Sequence, residues 1–82
     1  MPKFYVYVIE GLSGFTYIGQ TNNIEDRLLR HNGGREKSTK NHRPFKIIHI
    51  EEFDNRSRAM RREKSLKSGQ GREWMHSNLL NK

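Results

Sequence analysis

The sequence has no cysteine and only two prolines, and its acidic residues are few, 9 against 16 Lys and Arg. Without thiols it can form neither a disulfide nor a thiolate metal site. The longest uninterrupted apolar run, Phe4–Ile9, covers six residues, whereas a membrane-spanning helix needs about 20. No basic segment followed by a long apolar one opens the chain, which argues against a signal peptide. There is no Gly-x-x-x-x-Gly-Lys phosphate loop and no Gly-x-Ser-x-Gly elbow. His31, His42, His49 and His76 show no zinc-site spacing. Internal repeats, low-complexity tracts and linkers are also missing. These absences predict a soluble, cytoplasmic protein with no membrane attachment. At 82 residues the chain is expected to be one domain, residues 1–82, with a modest core.

What is present is positive charge, +7 with histidine neutral. Such an excess attracts polyanions, nucleic acid first among them. It is concentrated in two stretches. Residues 35–46 hold Arg35, Lys37, Lys40, Arg43 and Lys46 against Glu36. Residues 56–67 hold Arg56, Arg58, Arg61, Arg62, Lys64 and Lys67 against Glu63. A charge run can also be no more than a solvated face.

Phe4–Ile9 is rich in aromatic and β-branched residues and predicts a strand. Gly11–Gly14 reads as a turn and Phe15–Gln20 as a second strand, completing a hairpin. Asn22 or Asn23 caps a helix that runs to about His31 and stops at Asn32-Gly33-Gly34. Arg35–Arg43 contains no apolar residue and reads as a basic loop, followed by a third strand over Phe45–Phe53. Asp54 or Asn55 caps a second helix to about Ser68, which Gly69-Gln70-Gly71 breaks. A short C-terminal helix offers Trp74, Met75, Leu79 and Leu80 as apolar surface. The order β-β-α-β-α-α predicts an α+β, sandwich-like fold: a small three-stranded antiparallel sheet flanked by helices.

Three groups of residues could carry chemistry. Arg27 and His31 lie four apart on the first helix, beside the apolar stripe of Ile24 and Leu28. On the second helix Ala59, Glu63 and Leu66 follow core-facing spacing, so Glu63 is an acid on an apolar face. A half-buried carboxylate needs a partner, either a nearby arginine or a divalent cation such as Mg²⁺. The hairpin supplies Tyr5 and Tyr7 on one face of the first strand, and Tyr17 on the second. Gly19 within a strand suggests a bulge or a close approach of something to the backbone.

The order of these signals resembles the GIY-YIG nuclease superfamily, and within it the small proteins that are little more than the nuclease module. Tyr5-Val6-Tyr7 stands at the first motif, with Tyr5 and Val6 in place of Gly and Ile. Tyr17-Ile18-Gly19-Gln20-Thr21-Asn22 stands at the second. Arg27-x-x-x-His31-Asn32 and Arg61-Arg62-Glu63-Lys64-x-x-Lys67 follow at matching places. The resemblance covers Phe4 to about Met75.

It implies an endonuclease that hydrolyses phosphodiester bonds in DNA with one divalent cation, Mg²⁺ or Mn²⁺. The setting it suggests is repair or recombination, with substrates chosen by structure rather than sequence. Glu63 would ligate the metal, and Arg27 would contact the scissile phosphate. Tyr7 or Tyr17 would activate the attacking water with help from His31. Lys37, Lys40 and Arg43, with Arg61, Arg62, Lys64 and Lys67 on the second helix, would grip the phosphate backbone. RNA carries the same backbone charge. Two other readings stay open: a non-catalytic nucleic-acid-binding module with this fold, and a basic surface for an acidic protein partner. The sequence gives no indication of oligomeric state.

Overall fold

The computed structural model describes residues 3–80. Strand β1 (Phe4–Glu10) is the centre of a sheet ordered β2-β1-β3, with β2 (Thr16–Thr21) and β3 (Lys46–Phe53) both antiparallel to it. A tight turn joins β1 to β2, closed by the Gly11 amide donating to the Phe15 carbonyl at 2.8 Å. The ladder then runs unbroken from Glu10↔Thr16 to Tyr5↔Thr21. On the other side Val8 pairs with His49 but Ile9 with Ile47, so Ile48 is the extra residue of a β-bulge.

Side chains of β1 alternate between two cores. Val6 and Val8 pack with Ala59, Leu66 and Met75 from the two later helices. Tyr7 and Ile9 face the other way, onto Phe45, with Tyr17, Ile24 and Leu28 around them. The sheet is thus covered on both faces, as the apolar patterning predicts.

Helix α1 (Ile24–Asn32) is capped by Asn23, whose side chain accepts from the Asp26 amide at 3.0 Å. Glu25 and Asp26 in its first turn and Arg30 in its last suit the helix dipole. Gly34, at φ +78°, lets the chain turn away. The Asn32 side chain then accepts from the Phe45 amide at 2.6 Å and ties the helix end to the start of β3. The loop between them is not wholly irregular, because Lys40–His42 forms a turn of 3₁₀ helix.

Helix α2 (Arg56–Leu66) takes Asn55 as its cap, through a 2.9 Å bond from the Arg58 amide. Helix α3 (Gly69–Met75) begins three residues earlier than a break at Gly69-Gln70-Gly71 would allow. Ser68 caps it, accepting from the Gly71 amide at 3.2 Å. The two glycines are its first turn, and the break lies at Lys67–Ser68. Gly71 is required because a Cβ there would run into the carbonyls of Ser65 and Leu66. A final π-helical turn covers His76–Leu80. No helix among the described residues is long and apolar enough to cross a membrane.

Candidate active site

The ladder register sets Gly19 of β2 directly opposite Tyr7 of β1. Of the bulge and the close approach that the sequence suggests at Gly19, the structure has the second. The Tyr7 ring lies over the glycine, and a Cβ there would fall 2.5 Å from the phenolic oxygen. The bulge lies elsewhere, on β3.

The Tyr7 hydroxyl is hydrogen-bonded to His31 Nε2 at 3.0 Å. The two other aromatic neighbours of His31 are Tyr17, at a centroid distance of 4.8 Å, and Phe45, at 5.9 Å. The sequence spacing sets His31 beside the apolar stripe of α1; in the structure it is fully buried, at 0% exposure. What brings it inside is a polar partner that periodicity does not reveal. Thr39, also at 0% exposure, is hydrogen-bonded through Oγ1 to His31 Nδ1 at 2.9 Å. Its hydroxyl in turn donates to the Glu36 carbonyl at 3.4 Å. Both ring nitrogens of the imidazole are therefore satisfied without water.

Burial pushes the Tyr7 phenol well above its ordinary value. Tyr17, Glu36 and Glu63 add to the rise and Arg27 opposes it. Burial likewise lowers His31 below 6.5, with Arg27 assisting and Glu36 opposing. The resting pair is a neutral phenol and a neutral imidazole.

Arg27 stands one turn before His31 at the rim of the cluster, its guanidinium 3.8 Å from the Glu36 carboxylate. Glu63 lies on α2, and its charge adds to the rise at the Tyr7 hydroxyl. Its side chain is 23% exposed and pairs with Lys67 at 3.0 Å. No three His, Cys, Asp or Glu side chains cluster in metal-ligating geometry among the described residues. The donor set is one hard carboxylate. That fits an ion which keeps most of its water and takes its other ligands from substrate phosphate, as Mg²⁺ does.

The basic residues named from sequence are distributed unevenly. Lys37, Lys40, Arg43, Arg61 and Lys64 are exposed. Arg62 is turned inward. Its Nε and Nη2 donate to the two oxygens of Glu51 at 2.8 and 2.9 Å, and its guanidinium lies over the Trp74 ring. His49 bonds the same carboxylate at 2.7 Å. Burial alone would raise Glu51, but the Arg62 and His49 bonds outweigh it and hold the carboxyl below its usual range. Two residues of the site, Thr39 and Glu36, carry no sequence signal of a functional role. They lie in a stretch without apolar residues, where no periodic pattern flags a buried position.

Fold and cluster together define a GIY-YIG catalytic domain. That family's profile matches residues 3–78, and the chain belongs to the family. It is a family of nucleases that act on DNA and generally use a divalent metal. Within it the chain is similar to small UPF0213 proteins. One from Staphylococcus saprophyticus is 38% identical over 83% of this chain and 84% of its own length. One from Syntrophus aciditrophicus is 44% identical over 82% of this chain and 79% of its own. The solution NMR structure of a UPF0213 protein from Bacillus halodurans superposes with a TM-score of 0.57 at 31% identity. That match covers 92% of this chain and 83% of the other.

Proposed function

We propose that the chain is an endonuclease that hydrolyses phosphodiester bonds in DNA with one divalent cation, Mg²⁺ or Mn²⁺. The carrying observation is the 3.0 Å bond between Tyr7 and His31, inside a cluster edged by a guanidinium and a carboxylate. A phenol with an ordinary pKa near 10 is already mostly protonated at neutral pH, and burial raises Tyr7 further. Tyr7 can therefore take a proton from water only while giving up its own. His31 is the acceptor within reach, and burial keeps it neutral and able to accept. These relations support Tyr7, rather than Tyr17, as the base.

In the hydrolytic step the water proton moves to Tyr7 Oη as the phenolic proton moves to His31 Nε2. The water oxygen forms the new bond to phosphorus, and the bond from phosphorus to the leaving oxygen breaks. The leaving oxygen takes a proton from solvent, and His31 returns its own to solvent. Arg27, released from Glu36, offers a planar fork to the charge that develops on the phosphate. Glu63 is the residue that would hold the cation, which when bound supplies charge stabilisation at the scissile phosphate.

The exposed Lys37, Lys40, Arg43, Arg61 and Lys64 would grip the phosphate backbone. Such contacts carry no base information, so selection by DNA structure (branches, flaps, nicks) is the expectation. The test is cleavage of supercoiled plasmid and branched DNA with Mg²⁺ or Mn²⁺, beside Glu63→Ala and Arg27→Ala. Cleavage lost in both variants supports the reading. No product from any substrate, or cleavage unchanged in both variants, overturns it.

A second reading, a binding module without efficient cleavage, has two ion pairs in its favour. Lys67 occupies Glu63 and Glu36 lies against Arg27 in the free protein. It predicts salt-sensitive DNA binding that survives EDTA and tolerates Glu63→Ala, with no product formed.

A further inference from the structure

Thr39 is the least expected member of the site. It lies in a strongly basic loop between the exposed Lys37 and Lys40, yet it is wholly buried against His31. Its hydroxyl has one proton to give. One place for that proton is the Glu36 carbonyl at 3.4 Å, a long contact to an oxygen that also accepts from the backbone amides of Thr39 and Lys40 at 3.1 and 3.0 Å. Only lone pairs then face His31 Nδ1, 2.9 Å away, so Nδ1 must carry the hydrogen. The imidazole being neutral, Nε2 is left with a lone pair, and Tyr7 donates to it.

The opposite arrangement is poorer. If Thr39 donated to Nδ1, Nε2 would carry the hydrogen and point it at Tyr7. The Thr39–Glu36 bond would be lost. The phenolic proton of Tyr7, a residue only 3% exposed, would have no protein acceptor, since His31 is its one hydrogen-bond partner among the described residues. A buried donor without an acceptor is costly.

We propose that Thr39 is a positioning residue that fixes His31 in the Nδ1–H tautomer and so directs the Tyr7 proton toward Nε2. The relay runs one way: Tyr7 O–H to His31 Nε2, His31 Nδ1–H to Thr39 Oγ1, Thr39 O–H to the Glu36 carbonyl. Its catalytic consequence rests on the reading of Tyr7 as the base; the tautomer itself does not. Because Thr39 shares its loop with candidate phosphate-gripping lysines, the segment that would meet DNA also sets the direction of the proton.

The experiment is long-range ¹H–¹⁵N NMR correlation of the His31 ring at pH 8 in wild type, Thr39→Val and Thr39→Ser, with cleavage kinetics alongside. Wild type is expected to show a protonated Nδ1 and a pyridine-like Nε2. Thr39→Val, nearly isosteric, is expected to lose that tautomer and to lower kcat by about 10–100-fold with little change in KM, a fraction of what a general base supplies. Thr39→Ser is expected to restore both. A wild-type spectrum with protonated Nε2 overturns the proposal without any variant. So does a folded Thr39→Val that keeps the Nδ1–H tautomer. If the tautomer behaves as expected but no DNA is cut, the positioning role stands and the nuclease reading fails.

Discussion

Gly19 and Tyr7 face each other across the β1–β2 ladder so closely that the glycine's missing side chain is the space the phenol uses. A Cβ at Gly19 would lie 2.5 Å from the Tyr7 oxygen and 2.7 Å from its Cζ. The far end of a long side chain usually yields to such a contact. This one is buried and bonded to His31, so it cannot yield without leaving its acceptor. Gly19→Ala is expected to cost about 1–3 kcal/mol by overpacking, read by urea denaturation. Cleavage should fall far more than the folded fraction does. Full activity with a well-folded Gly19→Ala would show that the Tyr7 position is not needed.

The buried imidazole makes stability pH-dependent. The folded value of His31 lies below the unfolded 6.5, so between the two the unfolded chain binds more protons than the folded one. Stability then rises with pH through that window, is complete above about 6.5, and is lost as pH falls below it. Urea midpoints at pH 5 and 7.5 should differ in that direction, and the difference should shrink in His31→Gln. Equal midpoints in wild type would count against a neutral, buried His31.

Arg61 and Arg62 are neighbours in sequence with different expected effects. Arg62 joins α2 to β3 through Glu51 and to α3 through Trp74. Arg62→Ala leaves a largely buried carboxylate short of its strongest partner and is expected to cost about 1–3 kcal/mol. Arg61→Ala should leave stability alone but lower the salt slope of DNA binding by about one. Salt titrations of both variants decide it, and a slope that drops for Arg62→Ala instead would reverse the assignment.

Lys67 and a cation would compete for Glu63. The Lys67 side chain is half exposed, so the pair is a surface one, worth at most about 1 kcal/mol. Lys67→Ala is accordingly expected to tighten Mn²⁺ binding by no more than about five-fold, measured by calorimetry without DNA. Weaker binding in the variant would mean that Lys67 does not compete.

The strands, the asparagine caps and the glycine stop after α1 were legible because each rests on a local rule. Aromatic and β-branched enrichment marks β1, and Asn23 and Asn55 supply oxygens to free amides at the helix starts. Three features were not legible. Gly69-Gln70-Gly71 looks like a breaker, but Ser68 caps the stretch and Gly71 is needed where α3 meets α2. The inward turn of Arg62 depends on Glu51, eleven residues earlier and on another element, which no spacing rule connects to it. The full burial of His31 depends on Thr39, which enters the core through a folded turn of a loop that reads as solvent-exposed. Long-range polar pairing leaves no period in the sequence.

The alternation along β1 has a consequence for motion. Tyr7 sits between Val6 and Val8, both fully buried against the opposite core, and its strand is bonded on both sides. Its backbone therefore opens only when the sheet as a whole does. Deuterium should enter the Tyr7 amide no faster than the chain unfolds globally. The residues that complete its surroundings hang on less anchored ground: Thr39 on a surface loop, and Glu63 on a helix face where its partner is an exposed lysine. The Tyr7 oxygen is thereby a fixed reference point, and any rearrangement around it falls to the parts that come to meet it.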